Sequence, residues 1–187
     1  MNRCIKPRLV KLSKIEAARR QIESAIWLWF VDDDMISVQT LATAAHRTMA
    51  DLADVWGASA WPSTAAYFPK QPPKSTREPS DDAVTYFKDA KDDENYAVSE
   101  QWTELCLFDA VMAYSNLAHD RCGSALMSTF VLRFGVQRQE LFVPDAFLLL
   151  EKRVSKAFNL ERLERLSKLE FLKEFLGFLG GPAESAA

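Results

Sequence analysis

The chain has 187 residues and a net charge of −3, with 48% hydrophobic and 26% charged residues, a balance typical of one soluble globular domain. This charge argues against a dedicated nucleic-acid-binding protein, although it leaves that function open, and no apolar run approaches the roughly 18–20 residues that span a membrane. Three cysteines without CxxC spacing are typical of reduced thiols, and no signal peptide is recognisable, so we expect a cytoplasmic protein.

The N-terminal part predicts a basic arm followed by a helix. Residues 1–12 are rich in Lys and Arg and form the arm. The spacing of Ser13 and Glu16 is that of a capping box, so a helix is predicted to begin at Ser13 and to stop near the aspartates 32–34. This aspartate run does not match a calcium-binding loop and is predicted to be a polar turn.

A second helix is predicted from Ser37 to Gly57. Its apolar residues fall on one side at 100° per residue, with His46 at the edge: Val38, Leu41, Ala45, Met49, Leu52, Val55 and Trp56. Residues 57–79 hold five prolines and are predicted to form one long Pro-rich loop, for which both a partner-binding flap and a mobile loop stay open.

The rest of the chain is predicted to be helical. Helices are predicted after Ser80, over about 99–118, over about 124–134 ending at Gly135, over 144–158 and from Asn159 onward. A disordered tail is predicted at 180–187, which leaves 13–179 as the helical domain. The sequence therefore predicts an all-α fold: a single-domain bundle of about six to seven helices.

Leucines in the last predicted helix suggest a contact with a second copy of the chain. Four of them form one stripe with 3-4-3 spacing: Leu169, Leu172, Leu176 and Leu179. A stripe of this kind fits an intramolecular core as well as a homodimer through the C-terminal helix. Both interpretations stay open, as does a contact with a different protein.

Asp109 is the residue that most needs an explanation. On a helix its neighbours at three and four positions are all apolar: Leu105, Cys106, Met112 and Ala113. A carboxylate on an apolar face must be hydrogen-bonded, paired or neutralised. We expect a structural role, in which Asp109 accepts hydrogen bonds from a neighbouring helix N-terminus or loop, such as those near Ser37 or Ser124. Asn116 and Trp102 lie further along the same face.

No sequence motif for catalysis or for a metal or cofactor is present. The two histidines, His46 and His119, belong to no Glu-x-x-His or His-Glu-x-x-His pair. The chain also lacks a Walker loop, a GxGxxG loop and a Gly-x-Ser-x-Gly elbow. We therefore expect no cofactor, no metal site and no catalytic residue.

Three stretches together resemble a family of bacterial all-helical proteins of unknown function, with similarity to HEPN-type helical domains. They are residues 16–26, residues 37–45, and residues 86–90 followed by 107–111, and the resemblance covers roughly residues 13–142. Active HEPN ribonucleases have an Arg separated by four to six residues from a His, and neither histidine of this chain has one. Family members have histidines where this chain has Gln39 and Asp89, so the resemblance transfers no catalytic residue.

Three functions follow from these observations. The first is a non-catalytic helical protein that acts by macromolecular binding or self-association. The second is a HEPN-like, nucleotide- or RNA-directed enzyme with a degenerate motif, which would bring Asp89, Asp109 and His119 into one cleft. The third is a helical bundle that binds a small ligand near Trp102 and Asp109.

Overall fold

The computed structural model describes residues 11–58, 98–118, 123–142 and 159–180. These residues contain no β-strand and six α-helices: α1 (Lys14–Val31), α2 (Met35–Trp56), α3 (Glu100–Leu117), α4 (Ala125–Gln137), α5 (Leu160–Arg165) and α6 (Lys168–Gly180). A single 3-10 turn, Gln139–Leu141, follows α4. The prediction of an all-α helical bundle is confirmed. In the described ranges, no helix has both the length and the apolar character needed to cross a membrane.

Capping residues determine where the first two helices begin and end. The Ser13 hydroxyl accepts a hydrogen bond from the backbone N–H of Glu16 at 3.2 Å, so α1 begins where the capping box predicts. Asp34 accepts a hydrogen bond from the backbone N–H of Ser37 and caps α2, which therefore begins two residues before the predicted start. Gly57 ends α2 in the left-handed conformation, with φ of 61°, as predicted.

The predicted apolar face of α2 is correct except at its C-terminal end. Val38, Ala45 and Met49 are fully buried, whereas Val55 and Trp56 are 79% and 52% exposed. The reason is length, because α2 has 22 residues and α1 has 18. About one turn of α2, or ~6 Å, therefore projects beyond the helix that covers it.

The first three helices form the layer in which the candidate residues lie. The short turn after α1 reverses the chain, so that α1 and α2 pack as a helical hairpin. The contacts between α2 and α3 advance in the same direction along both helices. Thr103 Oγ1 donates to Gln39 Oε1 at 3.4 Å, and Thr43 Oγ1 lies 3.5 Å from Cys106 Sγ. We conclude that α2 and α3 run parallel, which requires a long connection between them.

Aromatic side chains form the core between α1, α3 and α4. The Trp29 and Phe130 rings meet edge to face, with centroids 5.0 Å apart. Phe134 contacts Phe108 and Phe142, with centroids 5.2 and 5.8 Å away. Such pairs add about 0.5–1.5 kcal/mol each beyond the area that they bury. This core holds α3 firmly on one side and leaves its opposite flank to carry the candidate site.

The C-terminal helix is not continuous, contrary to the prediction of one helix from Asn159. Asn159 does cap a helix, but α5 ends at Arg165. Ser167 then starts α6, because its hydroxyl accepts from the Glu170 N–H while the Glu170 carboxylate accepts from the Ser167 N–H. This reciprocal capping box stabilises a new helix start and breaks the old helix.

Arg133 ties this break to the rest of the bundle. Its guanidinium donates to the carbonyl oxygens of Leu163 and Leu166, which end α5, and lies 5.0 Å from the Phe171 ring centroid. Lys168 adds a second tie to α1: its ammonium lies 4.4 Å from the Trp29 ring centroid. The C-terminal helices are thus attached by two cations as well as by apolar burial.

Helix α4 passes through the predicted stop at Gly135. It continues to Gln137, and both Gly135 and Val136 are buried within it. A glycine inside a helix costs about 1 kcal/mol, which the burial of Val136 and Phe134 offsets.

Several predicted segments lie outside the described residues: most of the basic arm, the Pro-rich loop beyond residue 58, the helices predicted after Ser80 and over 144–158, and the tail beyond residue 180.

Candidate functional site

Helices α2 and α3 flank a partly open cavity of about 150 Å³ near their C-terminal ends. Among the described residues, α2 contributes His46, Met49, Ala50, Ala53 and Asp54, and α3 contributes Ala113, Asn116 and Leu117. The alanine side chains are too short to fill the space between the two helices. The polar groups of the described wall are those of His46, Asp54 and Asn116. Two of these, His46 and Asn116, are residues that the sequence picks out.

His46 enters the wall as a neutral imidazole. The side chain is half-buried, and burial lowers its pKa because the charged form loses hydration. A neutral imidazole has one N–H donor and one nitrogen acceptor. At neutral pH His46 therefore contributes hydrogen-bonding capacity to the cavity without positive charge.

Asp109 lies on α3 one turn before Ala113 and two turns before Asn116. Its Oδ1 atom is buried and has no hydrogen-bond partner among the described residues. Burial raises the pKa of the carboxyl to about 7, since no donor compensates for the lost hydration. The indole N–H of Trp102, two turns earlier on the same face, is likewise buried without a partner.

No described helix N-terminus donates to Asp109 Oδ1, and the expectation of a donor from a loop stays a prediction. The N–H of Ser37 donates to Asp34, and the hydroxyl of Ser124 accepts from Met127 within its own helix. Asp109 also affects the neighbouring Cys106. Burial raises the pKa of the Cys106 thiol to about 11, and the Asp109 charge contributes a smaller part of this increase. Asp109 is thus a carboxyl kept in an environment that disfavours its ionised form.

The carboxylate that does hold the fold together is Glu104, which the sequence does not single out. It is 1% exposed and accepts hydrogen bonds from the Trp29 indole at 3.1 Å and from Arg138 Nε at 2.8 Å. It therefore joins α1, α3 and the end of α4. The structural role of Glu104 is hard to predict from the sequence. Its neighbours on α3, Glu100 and Gln101, are polar, and its partners come from distant parts of the chain.

The structure brings together some of the predicted residues. His46 and Asn116 line one cavity, and Asp109 lies two turns before Asn116 on α3. Asp89 and His119 lie outside the described residues, so the convergence required by the HEPN-like hypothesis stays a prediction. Among the residues that the structure describes, no three His, Cys, Asp or Glu side chains are grouped to hold a metal ion. Asp54 and Met49 are cavity residues that sequence reasoning did not find.

Comparison with known proteins identifies no family for this chain. No protein-family model, no curated protein and no solved structure matches the chain.

Proposed function

We propose that the protein acts by binding, and that the cavity between α2 and α3 is its ligand site. The observation that carries this proposal is the cavity itself: an apolar floor with three polar side chains at its wall, close to a buried carboxyl that has no described partner. Ligand sites commonly combine apolar linings with a few polar groups that orient the ligand. The volume of about 150 Å³ suits a ring-sized molecule or one inserted side chain.

Filling the cavity tests this function. The Ala113→Leu variant places three additional carbon atoms where a ligand would lie, and Ala125→Leu makes the same change at an exposed position of α4. Small probe molecules, followed by NMR shifts of the backbone amides 46–54 and 113–117, should bind the wild type and Ala125→Leu. We expect binding to Ala113→Leu to be at least tenfold weaker. Equal binding by all three proteins would contradict the proposal.

Self-association is a second candidate, favoured by apolar side chains that the described structure leaves exposed. Trp27 and Val31, one turn apart on α1, are 51% and 48% exposed, and Leu169 on α6 is 41% exposed. Of the predicted C-terminal stripe, Leu172 is used in the chain's own core, at 2% exposed. A homodimer through the C-terminal helix would therefore use Leu169.

Light scattering across a range of concentrations distinguishes this candidate from the first. A dimer that Leu169→Glu dissociates, but that the exposed-site control Val55→Glu leaves intact, would support self-association. A protein that stays monomeric at high concentration would contradict self-association and would leave the ligand-site proposal unaffected. We also propose a cytoplasmic location, which the cysteine pattern supports.

A further inference from the structure

The size and floor of the cavity define the body of its ligand. Met49 and Leu117 form the apolar floor with the methyl groups of Ala50, Ala53 and Ala113. Drug-sized ligands occupy pockets of roughly 300–1,000 Å³, whereas an apolar cavity of about 150 Å³ accepts a molecule the size of benzene. The body of the ligand is therefore compact and apolar, of the order of one six-membered ring.

The wall of the cavity defines the charge of the ligand. Asp54, an exposed residue at the rim, is the only charged side chain among the described residues that line the cavity, and no Lys or Arg is among them. The amide oxygen of Asn116 and a nitrogen of the neutral His46 are further acceptors. An ammonium group has three donors and no acceptor, so it complements this set, whereas a carboxylate or phosphate would meet a like charge.

We infer that the cavity binds a compact primary amine, with its apolar body against Met49 and Leu117 and its ammonium group toward Asp54 and Asn116. This inference rests on the proposed binding function and adds the chemical class of the ligand. A free amine and a lysine side chain of a peptide share this chemistry.

Three probes of one shape and different charge test the inference: benzylamine, benzyl alcohol and benzoate. Titrations followed by NMR at pH 8 keep the amine protonated and the acid ionised. We expect benzylamine to bind about three- to fivefold more tightly than benzyl alcohol, since the carboxylate of Asp54 is exposed, and benzoate to bind most weakly. The Asp54→Asn variant should reduce the amine-to-alcohol ratio at least threefold. The matched control is Asp51→Asn, an equally exposed aspartate one turn away on α2 that does not line the cavity, and it should leave the ratio unchanged.

The outcomes separate the inference from the function on which it rests. If benzyl alcohol binds as tightly as benzylamine, or benzoate binds best, the amine class is wrong and the cavity remains a ligand site. If no probe binds, both fail. If benzylamine is preferred but Asp54→Asn leaves that preference intact, the assignment of Asp54 is overturned. A lysine-containing tripeptide that binds better than its norleucine analogue would identify a peptide as the source of the amine.

Discussion

Replacing Asp109 by Asn should stabilise the protein, and by more at high pH. The carboxyl pKa rises from 3.8 to about 7 on folding, a difference of about three units. One unit corresponds to about 1.36 kcal/mol, so ionising the buried carboxyl costs up to ~4 kcal/mol of folding free energy. Solvent still reaches the half-buried side chain, which reduces the expected cost to about 2–4 kcal/mol.

The sign of the pH dependence follows from the raised pKa. Below about pH 4 Asp109 is protonated in both the folded and the unfolded state, so it has no ionisation cost. Between about pH 4 and pH 7 the unfolded chain releases the proton more readily, and the folded state loses stability. Above pH 7 the cost is constant. Asn is neutral throughout, so the Asp109→Asn variant should match the wild type near pH 4 and exceed it above.

Urea unfolding between pH 4 and pH 9 measures this difference. We expect the stability gap between the variant and the wild type to widen up to about pH 7 and then to stay level. The control Asp51→Asn, at an exposed position of α2, should show no such gap. An Asp109→Asn variant that is less stable than the wild type at pH 8 would refute the reasoning, because the carboxylate would then have donors that stabilise it. By the same logic Asp109→Leu should be tolerated.

Three further substitutions test the contacts that hold the bundle together. Glu104→Gln should destabilise the protein by about 2–4 kcal/mol in urea unfolding, because it breaks a buried ion pair with Arg138; a loss below about 1 kcal/mol would contradict the structural role. Arg133→Met should cost about 1.5–3 kcal/mol for each carbonyl that loses its charged partner, with faster hydrogen exchange confined to α5 and α6 as the signature. Ser167→Ala should cost about 0.5–2 kcal/mol and reduce protection in the first turn of α6, and unchanged exchange there would rule out the cap.

Sequence patterns predict the structure correctly where the interacting residues are close along the chain. The Ser13 cap and the Gly57 stop depend on residues within one turn, and both are predicted correctly. The Ser167–Glu170 capping box has the same spacing as Ser13–Glu16. It is harder to recognise in the sequence, because the leucine repeat continues on both sides of it. In this chain the capping signal inside the apolar repeat marks the helix break.

The candidate site was harder to predict because its geometry depends on how helices meet. Apolar neighbours on one helix correctly show that Asp109 is removed from water, but they do not show whether donors reach it from elsewhere. Glu104 illustrates the converse, because its partners Trp29 and Arg138 are 75 and 34 residues away in the chain. His46 and Asn116 line one cavity because α2 and α3 are parallel. No local sequence pattern predicts how these two helices pack.

The parallel packing of α2 and α3 has a consequence for the electric field at the cavity. Parallel helices bring their C-termini to the same end of the bundle, and the cavity lies against the last two turns of α3 and the last three turns of α2. Each helix end has a partial negative charge of about half an electron from its aligned peptide dipoles. The backbone therefore favours a cation here independently of any side chain, and part of the preference for an amine should survive when Asp54 is neutralised.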